Sequence, residues 1–214
     1  SSIPRGRPTS ALDDDDDTAV VLYTSGTTAA PKAAILRHRH VMAYLLGTVE
    51  YASAGDEEAV LIAVPPYHIA GIANMLSNLF SGRRLVYLEH FDADTWLDVV
   101  RDQKVTHAMV VPTMLTRIVA AIDAGQPVPP TLRLLSYGGS KISSRVLERA
   151  LNVFPTTDFV NAYGLTETAS TVAVLGPDDH RDALQSSDNA VRRRLSSAGR
   201  IVPGVEAEIR LRDE

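Results

Sequence analysis

The sequence lacks cysteine entirely, since none of its 214 residues is one. This absence excludes disulfide scaffolds, cysteine nucleophiles and thiolate metal sites, and it agrees with a reducing compartment. No run of residues approaches the roughly 18 consecutive apolar positions that a membrane-spanning helix requires, and residues 1–10 have no apolar core like that of a signal peptide. We therefore expect a cytoplasmic protein with no transmembrane segment.

Basic clusters are also scarce. Lys and Arg total 21 against 26 for Asp and Glu, and five consecutive aspartates at positions 13–17 match the whole net charge of -5. Three arginines cluster at positions 192–194, whereas a nucleic-acid surface normally needs a wider patch of Lys and Arg. We expect no nucleic-acid partner. With 45% hydrophobic residues, the composition is typical of a globular protein.

The chain does contain an alternation of two patterns. Short apolar runs typical of buried strands occur at 19–23, 59–64, 84–88, 107–111, 132–137 and 158–161. Segments with a helical spacing of apolar residues lie between them, at 40–51, 94–103, 112–122 and 143–154. Strands that alternate with helices predict an α/β fold with a mostly parallel sheet flanked by helices.

Three regions follow from these patterns. Residues 1–17 are polar and are expected to form a flexible lead-in to an α/β core over 18–177. Residues 178–214 are expected to be a loop and the beginning of a β subdomain. The stretch up to 197 is polar and irregular, and the apolar and polar alternation over 205–211 predicts an antiparallel or edge strand.

Hydroxyl groups, a glycine and a lysine follow the first predicted strand, in the sequence YTSGTTAAPK at positions 23–32. Backbone N–H groups, hydroxyls and one mobile cation around a turn are what a polyphosphate needs. The spacing differs from that of a P-loop. The alternative is a turn in which Ser and Thr side chains bond their own backbone.

A second motif, NAYGLTET at 161–168, follows the last strand of the core. Glu167 is suited to Mg²⁺ shared with substrate phosphates, Thr166 to a phosphate and Tyr163 to stacking on a base. The alternative is that Thr166 and Glu167 begin a helix. Because ligands gather at the carboxyl ends of parallel strands, we expect this motif and residues 23–32 to face one crevice.

Two further loops follow predicted strands. Gly138 and Gly139 permit the close approach of a flat ligand such as a purine, although paired glycines are also common in plain turns. His68 lies in PPYHIAG at 65–71, where it is placed to gate a substrate or bind its carboxylate. A lone histidine in a loop can also be structural.

In this order, the four segments resemble those of the adenylate-forming superfamily, which includes acyl-CoA synthetases, firefly luciferase and the adenylation domains of peptide synthetases. Residues 23–32 look like its phosphate loop and residues 163–167 like a second motif. The sequences GR at 199–200 and PGV at 203–205 agree too, so the resemblance covers most of 18–212. It implies the fold of the acyl-CoA synthetase N-terminal domain.

The resemblance implies a two-step reaction. A carboxylic acid reacts with ATP to give acyl-AMP and pyrophosphate, and the thiol of coenzyme A or of a carrier protein then takes the acyl group. ATP or AMP, Mg²⁺ and coenzyme A are the implied ligands. The segments at 66–68 and 110–115 look more like those of fatty-acid and related acyl-CoA ligases than those of amino-acid adenylation domains.

The resemblance also implies roles for individual residues. Lys32, Thr166 and Glu167 are the implied catalytic residues, and Glu167 is the implied Mg²⁺ ligand. The acid would contact His68, Tyr137 and Gly138. The nucleotide would be held by Thr24, Ser25, Gly26, Thr27, Thr28, Lys32, Gly138, Gly139, Ser140, Asn161, Tyr163, Gly164 and Thr166.

The sequence departs from the family pattern at several positions. Ala29 and Ala33 stand where glycine is usual, and Ser140 and Lys141 replace the commoner alanine and proline. No segment matches the family's ribose-binding aspartate, hinge or small domain with the catalytic lysine. We therefore expect a fragment of a larger enzyme that is incomplete as a catalyst. A nucleotide-binding module without adenylation and an interaction fragment that binds no nucleotide are the alternatives.

Overall fold

The computed structural model describes residues 17–24 and 32–210 of the chain. In chain order its strands are β1 (Thr18–Thr24), β2 (Lys32–Arg37), β3 (Ala59–Ile62), β4 (Arg84–Tyr87), β5 (His107–Val110), β6 (Leu134–Gly138), β7 (Asp158–Leu165), β8 (Ser170–Leu175) and β9 (Arg200–Ile201). Its helices are α1 (His38–Thr48), α2 (Ile69–Phe80), α3 (Ala93–Asp102), α4 (Pro112–Asp123), α5 (Ser144–Val153), α6 (Pro177–Gln185) and α7 (Asn189–Arg192).

A seven-stranded sheet in the order β4-β3-β5-β6-β7-β8-β9 forms the centre of the fold. The first five strands of that order pair in parallel, and β8 and β9 are antiparallel additions. Because the chain goes from β3 outward to β4 and then returns to β5 on the other side, the strand order reverses between β3 and β5. The predicted α/β class with a mostly parallel sheet is confirmed.

The main hydrophobic core lies on one face of this sheet. Helices α3, α4 and α5 supply fully buried side chains such as Trp96, Leu115 and Leu147, and α6 adds Ala183. Burying these side chains supplies most of the stabilisation, at about 25 cal/mol for each Å² of apolar surface. Helices α1 and α2 cover part of the opposite face, where α2 contacts β3 and β8.

Local sequence signals fix the ends of the core helices. The side chain of Asp92 accepts a hydrogen bond from the Thr95 backbone N–H at the start of α3, and Ser143 does the same for Val146 at the start of α5. Such capping side chains satisfy N–H groups that have no partner inside the helix. Pro112 occupies the first turn of α4, where its missing N–H is not needed.

The first predicted strand is formed but has a different partner from the one expected. Strand β1 pairs antiparallel with β2 in a separate two-stranded ribbon and is not part of the main sheet. Only Leu22 of β1 is buried. The prediction that the apolar run forms a strand is therefore confirmed. Its assignment to the parallel sheet is wrong, because β1 makes its backbone hydrogen bonds with β2, the next strand in the chain.

The C-terminal region also differs from the prediction. Residues 178–197, expected to be irregular, contain most of α6 and all of α7, and α6 buries His180 and Ala183 against the core. The strand predicted over 205–211 is absent from its described part, 205–210. No neighbouring strand in the described chain pairs with that part, and the short strand β9 precedes it. The division at residue 177 stays a prediction.

Candidate functional site

A first cavity of about 490 Å³ opens at the carboxyl ends of β6 and β7. In parallel sheets this edge is where ligands bind. The cavity brings together seven residues that the sequence singled out: Tyr137, Gly138, Gly139, Ser140, Asn161, Tyr163 and Gly164. Lys141, Ile142, Ala162, Leu165 and a returning segment at 195–198 form the rest of its wall. The strand ends therefore gather two of the predicted motifs around one space.

Two glycines shape the floor of the first cavity. A Cβ atom at Gly138 would lie 2.3 Å from the backbone oxygen of Ala162, so a side chain would push β6 away from β7. Gly139 adopts a φ of +85°, a conformation that other residues rarely take. The paired glycines thus allow the backbone to turn tightly beneath the cavity. The predicted approach of a flat ligand to them stays a prediction.

A 3-10 turn follows β7 at the rim of the first cavity and carries Thr166 and Glu167. The hydroxyl of Thr168 holds the turn, because it accepts from the Leu165 backbone N–H at 2.9 Å and donates to the Ser170 carbonyl at 2.9 Å. A short helical turn therefore begins where the alternative interpretation placed a helix. Neither Thr166 nor Glu167 lines the first cavity itself.

The side chain of Glu167 fits a shared Mg²⁺ ion. It is exposed and has no hydrogen bond or ion pair to any part of the chain that the structure describes. In the same residues, no group of three His, Asp or Glu side chains could hold a metal ion without other ligands. One free carboxylate is what Mg²⁺ requires when phosphates and water supply its other ligands.

Thr24 and Lys32 lie at the two ends of the β1–β2 connection. They face each other in the strand register, and the Thr24 hydroxyl donates to the Lys32 backbone oxygen at 3.3 Å. Strand β2 also contacts the 3-10 turn of Glu167. The hairpin and the turn are therefore neighbours in the fold. The predicted residues Ser25, Gly26, Thr27 and Thr28 lie outside the described residues.

A buried pair of side chains supports the first cavity from below. The Tyr137 hydroxyl lies 2.9 Å from His180 Nε2, and His180 Nδ1 lies 2.7 Å from the Gly176 backbone oxygen. Since a carbonyl only accepts, Nδ1 carries the proton and Tyr137 donates to Nε2. Burial lowers the pKa of His180 and raises the pKa of Tyr137, so both side chains are neutral near pH 7.

A second cavity of about 340 Å³ lies on the opposite face of the sheet. Its wall combines residues of α1 and α2 with residues of the strands, which include Tyr44, Ala73, Asn74, Ser77, Asn78, Arg83, His107, Met109, Ser136, Val160, Ala162 and Val174. Ala162 lines both cavities. Ala162, which pairs with Gly138 at the end of β6, therefore borders both spaces.

His68 lies in the connection from β3 to α2. It is the residue immediately before α2, the helix that supplies Asn74 and Asn78 to the cavity wall. Its ring is exposed and lies 4.8 Å, centroid to centroid, from that of Tyr67. His68 lines neither of the two cavities, so the structure does not bring it together with Tyr137 and Gly138.

Some residues of these cavities were not predicted from the sequence. Ser196, Ser197 and Ala198 close the first cavity, where the Ser197 backbone oxygen accepts from Asn161 Nδ2 at 3.3 Å. Asn74 and Asn78 belong to the second cavity. The available signal for the residues of the first cavity was a run of small residues just before the GR segment at 199–200. The signal for Asn74 and Asn78 was their spacing of four residues within a helix.

The comparison with known proteins adds the family. The sequence matches the AMP-binding enzyme family over residues 3–214. This chain belongs to that family. The chain is 35% identical over 194 residues to the fatty acid–[acyl-carrier-protein] ligase ScoC of Streptomyces coeruleorubidus, a match that covers 87% of this chain and 35% of the relative. The resemblance to the adenylate-forming superfamily is thereby confirmed.

Solved structures of family members share the fold. The amide bond synthetase McbA from Marinactinospora thermotolerans is 28% identical with a TM-score of 0.79, over 98% of this chain and 40% of that one. The o-succinylbenzoate coenzyme A synthetase MenE from Bacillus subtilis, solved in complex with ATP and magnesium, is 25% identical with a TM-score of 0.72, over 89% of this chain and 37% of that one. This chain thus spans 35% to 40% of the length of these three proteins.

Within residues 17–24 and 32–210, no helix is both long enough and apolar enough to cross a bilayer.

Proposed function

We propose that this chain is the nucleotide-binding part of an ATP-dependent enzyme that converts a carboxylic acid to acyl-AMP and then to acyl-CoA. The observation that carries the proposal is the first cavity. Glycines form its floor and residues of two predicted motifs line it. The turn beside it carries Glu167, whose carboxylate has no partner among the described residues. Family membership supports it. A fatty acid or a related acid is the proposed substrate, and the cytoplasm is the proposed location.

The proposed nucleotide site extends from the first cavity to the β1–β2 hairpin. Adenine would lie against Tyr163 and the backbone of Gly138 and Gly139, with Asn161, Gly164 and Ser140 around it. Thr166 would donate to the α-phosphate. The β- and γ-phosphates would be held by Lys32, by Thr24 and by the predicted loop residues Ser25, Gly26, Thr27 and Thr28. A bound Mg²⁺ ion, held by Glu167, would neutralise phosphate charge.

In this reaction the protein would contribute mainly by orienting the reactants and stabilising charge, without forming a covalent bond to them. A carboxylate oxygen of the acid forms a bond to the α-phosphorus of ATP, and the bond from that phosphorus to the bridging oxygen breaks, which releases pyrophosphate. In the second step the thiol sulfur of coenzyme A bonds to the acyl carbon. The bond between that carbon and the AMP oxygen breaks, and the thiol proton goes to solvent.

The second cavity is the proposed site of the acid. It lies on the opposite face of the sheet and shares the lining residue Ala162 with the first cavity, so the carboxylate of an acid within it would lie at the end nearer to the nucleotide. His68 precedes α2 at that end and would contact the carboxylate. Tyr137 and Gly138, assigned to the acid from the sequence, lie on the nucleotide side of this junction.

Transfer to a carrier-protein thiol is a second candidate for the last step. The relative ScoC is named a fatty acid–[acyl-carrier-protein] ligase, whereas MenE is named a coenzyme A synthetase. Both thiols attack the same acyl carbon. Coenzyme A and a carrier protein with a free thiol can be compared directly as acceptors in one assay that follows thioester formation after acid and ATP are added.

Calorimetric titration with ATP and Mg²⁺ tests the nucleotide site. We expect Lys32→Ala to weaken ATP binding by roughly 10- to 100-fold, because a hydrogen bond to a charged group contributes about 1.5–3 kcal/mol. Glu167→Gln is expected to weaken the binding of ATP with Mg²⁺ and to have little effect without the metal, since an amide is a poorer Mg²⁺ ligand than a carboxylate.

Matched variants separate the site from general charge effects. Arg117→Ala and Glu57→Gln make similar charge changes at exposed positions away from the cavity, and ATP affinity should be unaffected. If Lys32→Ala and Glu167→Gln also leave ATP affinity unchanged, the assigned phosphate site is wrong. Release of pyrophosphate from ATP, dependent on an added acid, would then report whether acid activation occurs elsewhere in the chain.

A further inference from the structure

The segment at 195–198 that closes the first cavity is part of a compact turn with its own hydrogen bonds. The Ser197 backbone N–H donates to the Arg194 backbone oxygen at 2.9 Å, and the Ser197 hydroxyl donates to the same oxygen at 2.7 Å. The Gly199 backbone N–H donates to the Ser197 hydroxyl at 3.3 Å. Because these bonds connect both ends of the turn to Ser197, a shift at either end carries Ser197 with it.

This turn fixes the orientation of the Asn161 side chain, which lines the first cavity. Asn161 Nδ2 donates to the Ser197 backbone oxygen at 3.3 Å. A carbonyl oxygen only accepts, so a flipped amide would bring two acceptors together. Asn161 Oδ1 then has no hydrogen bond within the described residues and stays accessible. It remains available as an acceptor for a ligand in the first cavity.

Two arginines at the ends of the turn meet at one carboxylate. Arg194 lies immediately before the segment at 195–198, and Arg200 lies two residues after it. Asp179 Oδ1 accepts from Arg200 Nη2 at 3.2 Å and lies 3.6 Å from Arg194 Nη1. Within the described part of the chain, neither arginine forms another ion pair. A single carboxylate oxygen thus connects both ends of the turn.

Asp179 is the fixed member of this cluster. Its side chain is 16% exposed, against 48% for Arg194 and 82% for Arg200. The next residue of α6, His180, is fully buried and is hydrogen-bonded to Tyr137 beneath the first cavity. Because this buried contact anchors α6, the two arginines take their positions from Asp179.

Packing keeps the turn folded independently of Asp179. Leu195 is buried in the main core, and Arg200 pairs with Val174 of β8. Of the four residues after Leu195, three are exposed, so packing does not determine their exact placement. Ion pairs with exposed arginines contribute little to stability. Loss of the Asp179 carboxylate is therefore expected to leave the chain folded and to shift the exposed part of the turn.

We infer that Asp179 is a positioning residue of the nucleotide site. Through Arg194 and Arg200 it places the turn. The Ser197 carbonyl of that turn orients Asn161, whose Oδ1 accepts from the 6-amino group of the purine. This inference rests on the proposed function, since it takes the first cavity to be the adenine site. A residue that touches no ligand thereby contributes to the choice between an adenine and a purine with an oxygen at position 6.

Calorimetric titration of the 214-residue chain with AMP and with IMP tests this inference. The two nucleotides have the same phosphate and differ at position 6 of the base, where AMP has an amino donor and IMP an oxygen acceptor. We expect the chain to bind AMP at least about tenfold more tightly than IMP, because IMP loses one hydrogen bond and places two acceptors together.

Asp179→Ala is expected to reduce this preference to about threefold or less. Once the turn is released, the Asn161 amide can present either its oxygen or its N–H₂ group to the base. The affinity for IMP should therefore rise while that for AMP falls. A general loss of stability would weaken both nucleotides together and would not change their ratio.

Matched variants make the result specific. Asp178→Ala also removes an acid from the first turn of α6 and an ion pair, here with Arg181 at 2.8 Å, and it should retain the preference for AMP. Asp179→Glu restores a carboxylate and should recover part of it. Replacing Arg194 and Arg200 together by glutamine should reduce the preference as Asp179→Ala does, and adding Asp179→Ala to that pair should have no further effect.

Several results would overturn the inference. An unchanged ratio in Asp179→Ala, or an equal loss in Asp178→Ala, would do so while the nucleotide site itself stands. Equal affinity of the unaltered chain for AMP and IMP would also contradict it. Binding of neither nucleotide would overturn the proposed function as well. Circular dichroism shows whether each variant is folded, and the arginine pair gives the same test if Asp179→Ala is not.

Discussion

The contact between Tyr137 and His180 joins two residues 43 positions apart in the chain. It connects the end of β6, beneath the first cavity, to α6. Each partner is almost fully buried, with 1% and 0% of its surface exposed. A buried hydrogen bond of this kind is expensive to break from one side only, because the remaining group is left without water.

Replacement of Tyr137 by phenylalanine is therefore expected to lower the free energy of unfolding. The ring is kept and the hydroxyl is lost, so His180 Nε2 has no donor, at a cost of about 1–3 kcal/mol. Urea denaturation measures the change. Tyr87→Phe removes a hydroxyl that is exposed and should change stability by less than about 0.5 kcal/mol. Equal effects of the two substitutions would show that the Tyr137 hydroxyl contributes nothing.

At the same scale, the sequence reveals some site residues and hides others. Gly138 and Gly139 could be recognised because their role depends on the local backbone, which a two-residue pattern encodes. His180 could not be recognised as the partner of Tyr137, because nothing near either residue specifies a contact between distant segments.

Among the elements, the pairing of β6 with β7 depends on a position without a side chain. The Gly138 Cα faces the Ala162 backbone so closely that a Cβ atom would lie 2.3 Å from its oxygen. The two strands form both the floor of the first cavity and the junction with the second. Their separation therefore controls stability and ligand binding together.

Gly138→Ala is expected to destabilise the protein by about 1–3 kcal/mol, the usual cost of forcing extra volume into packed backbone. It should also weaken ATP binding, because the strands beneath the first cavity move apart. Chemical denaturation and calorimetry measure the two effects. Gly176→Ala provides the control, since no atom lies within 4 Å of its added Cβ. A change of more than about 1 kcal/mol there would mean that space is not the deciding factor.

The elements themselves were predictable where burial dictates a repeating pattern. Strand β3 is buried at all four positions, and α3 buries Trp96, Leu97 and Val100 on one face, so both were evident as an apolar run and a helical stripe. Helix α6 was missed because it buries only His180 and Ala183, too few apolar residues for a visible stripe. The partner of β1 was missed because pairing depends on the path of the chain.

For the whole molecule, one buried histidine, His180, and one partly buried histidine, His107, make stability depend on pH. Burial lowers the pKa of His107 to about 4 and also lowers the pKa of His180. The unfolded chain has the usual histidine pKa near 6.5, so between the two values it binds more protons than the folded chain. Stability is therefore fully present above about pH 6.5 and is lost as the pH falls toward 4.

His107→Gln is expected to flatten this pH dependence between about pH 6.5 and 4. The full effect of the His107 pKa is reduced because the ring is only partly buried, which leaves a change on the order of 1–2 kcal/mol. Urea titrations at a series of pH values measure it. His90 has a side chain that is 90% exposed, so His90→Gln should retain the slope of the natural protein. Identical slopes for both variants would exclude His107 as a source.

The sheet itself has a further consequence at the point where Ala162 faces both cavities. There the two spaces are divided by a single layer of backbone, and molecules on opposite faces can meet only around the ends of β6 and β7. A compound that joins a nucleotide to an acid would bend around this edge and occupy both faces at once. Its two halves would then act at a high effective concentration toward each other, so the joined molecule should dissociate far more slowly than either half alone.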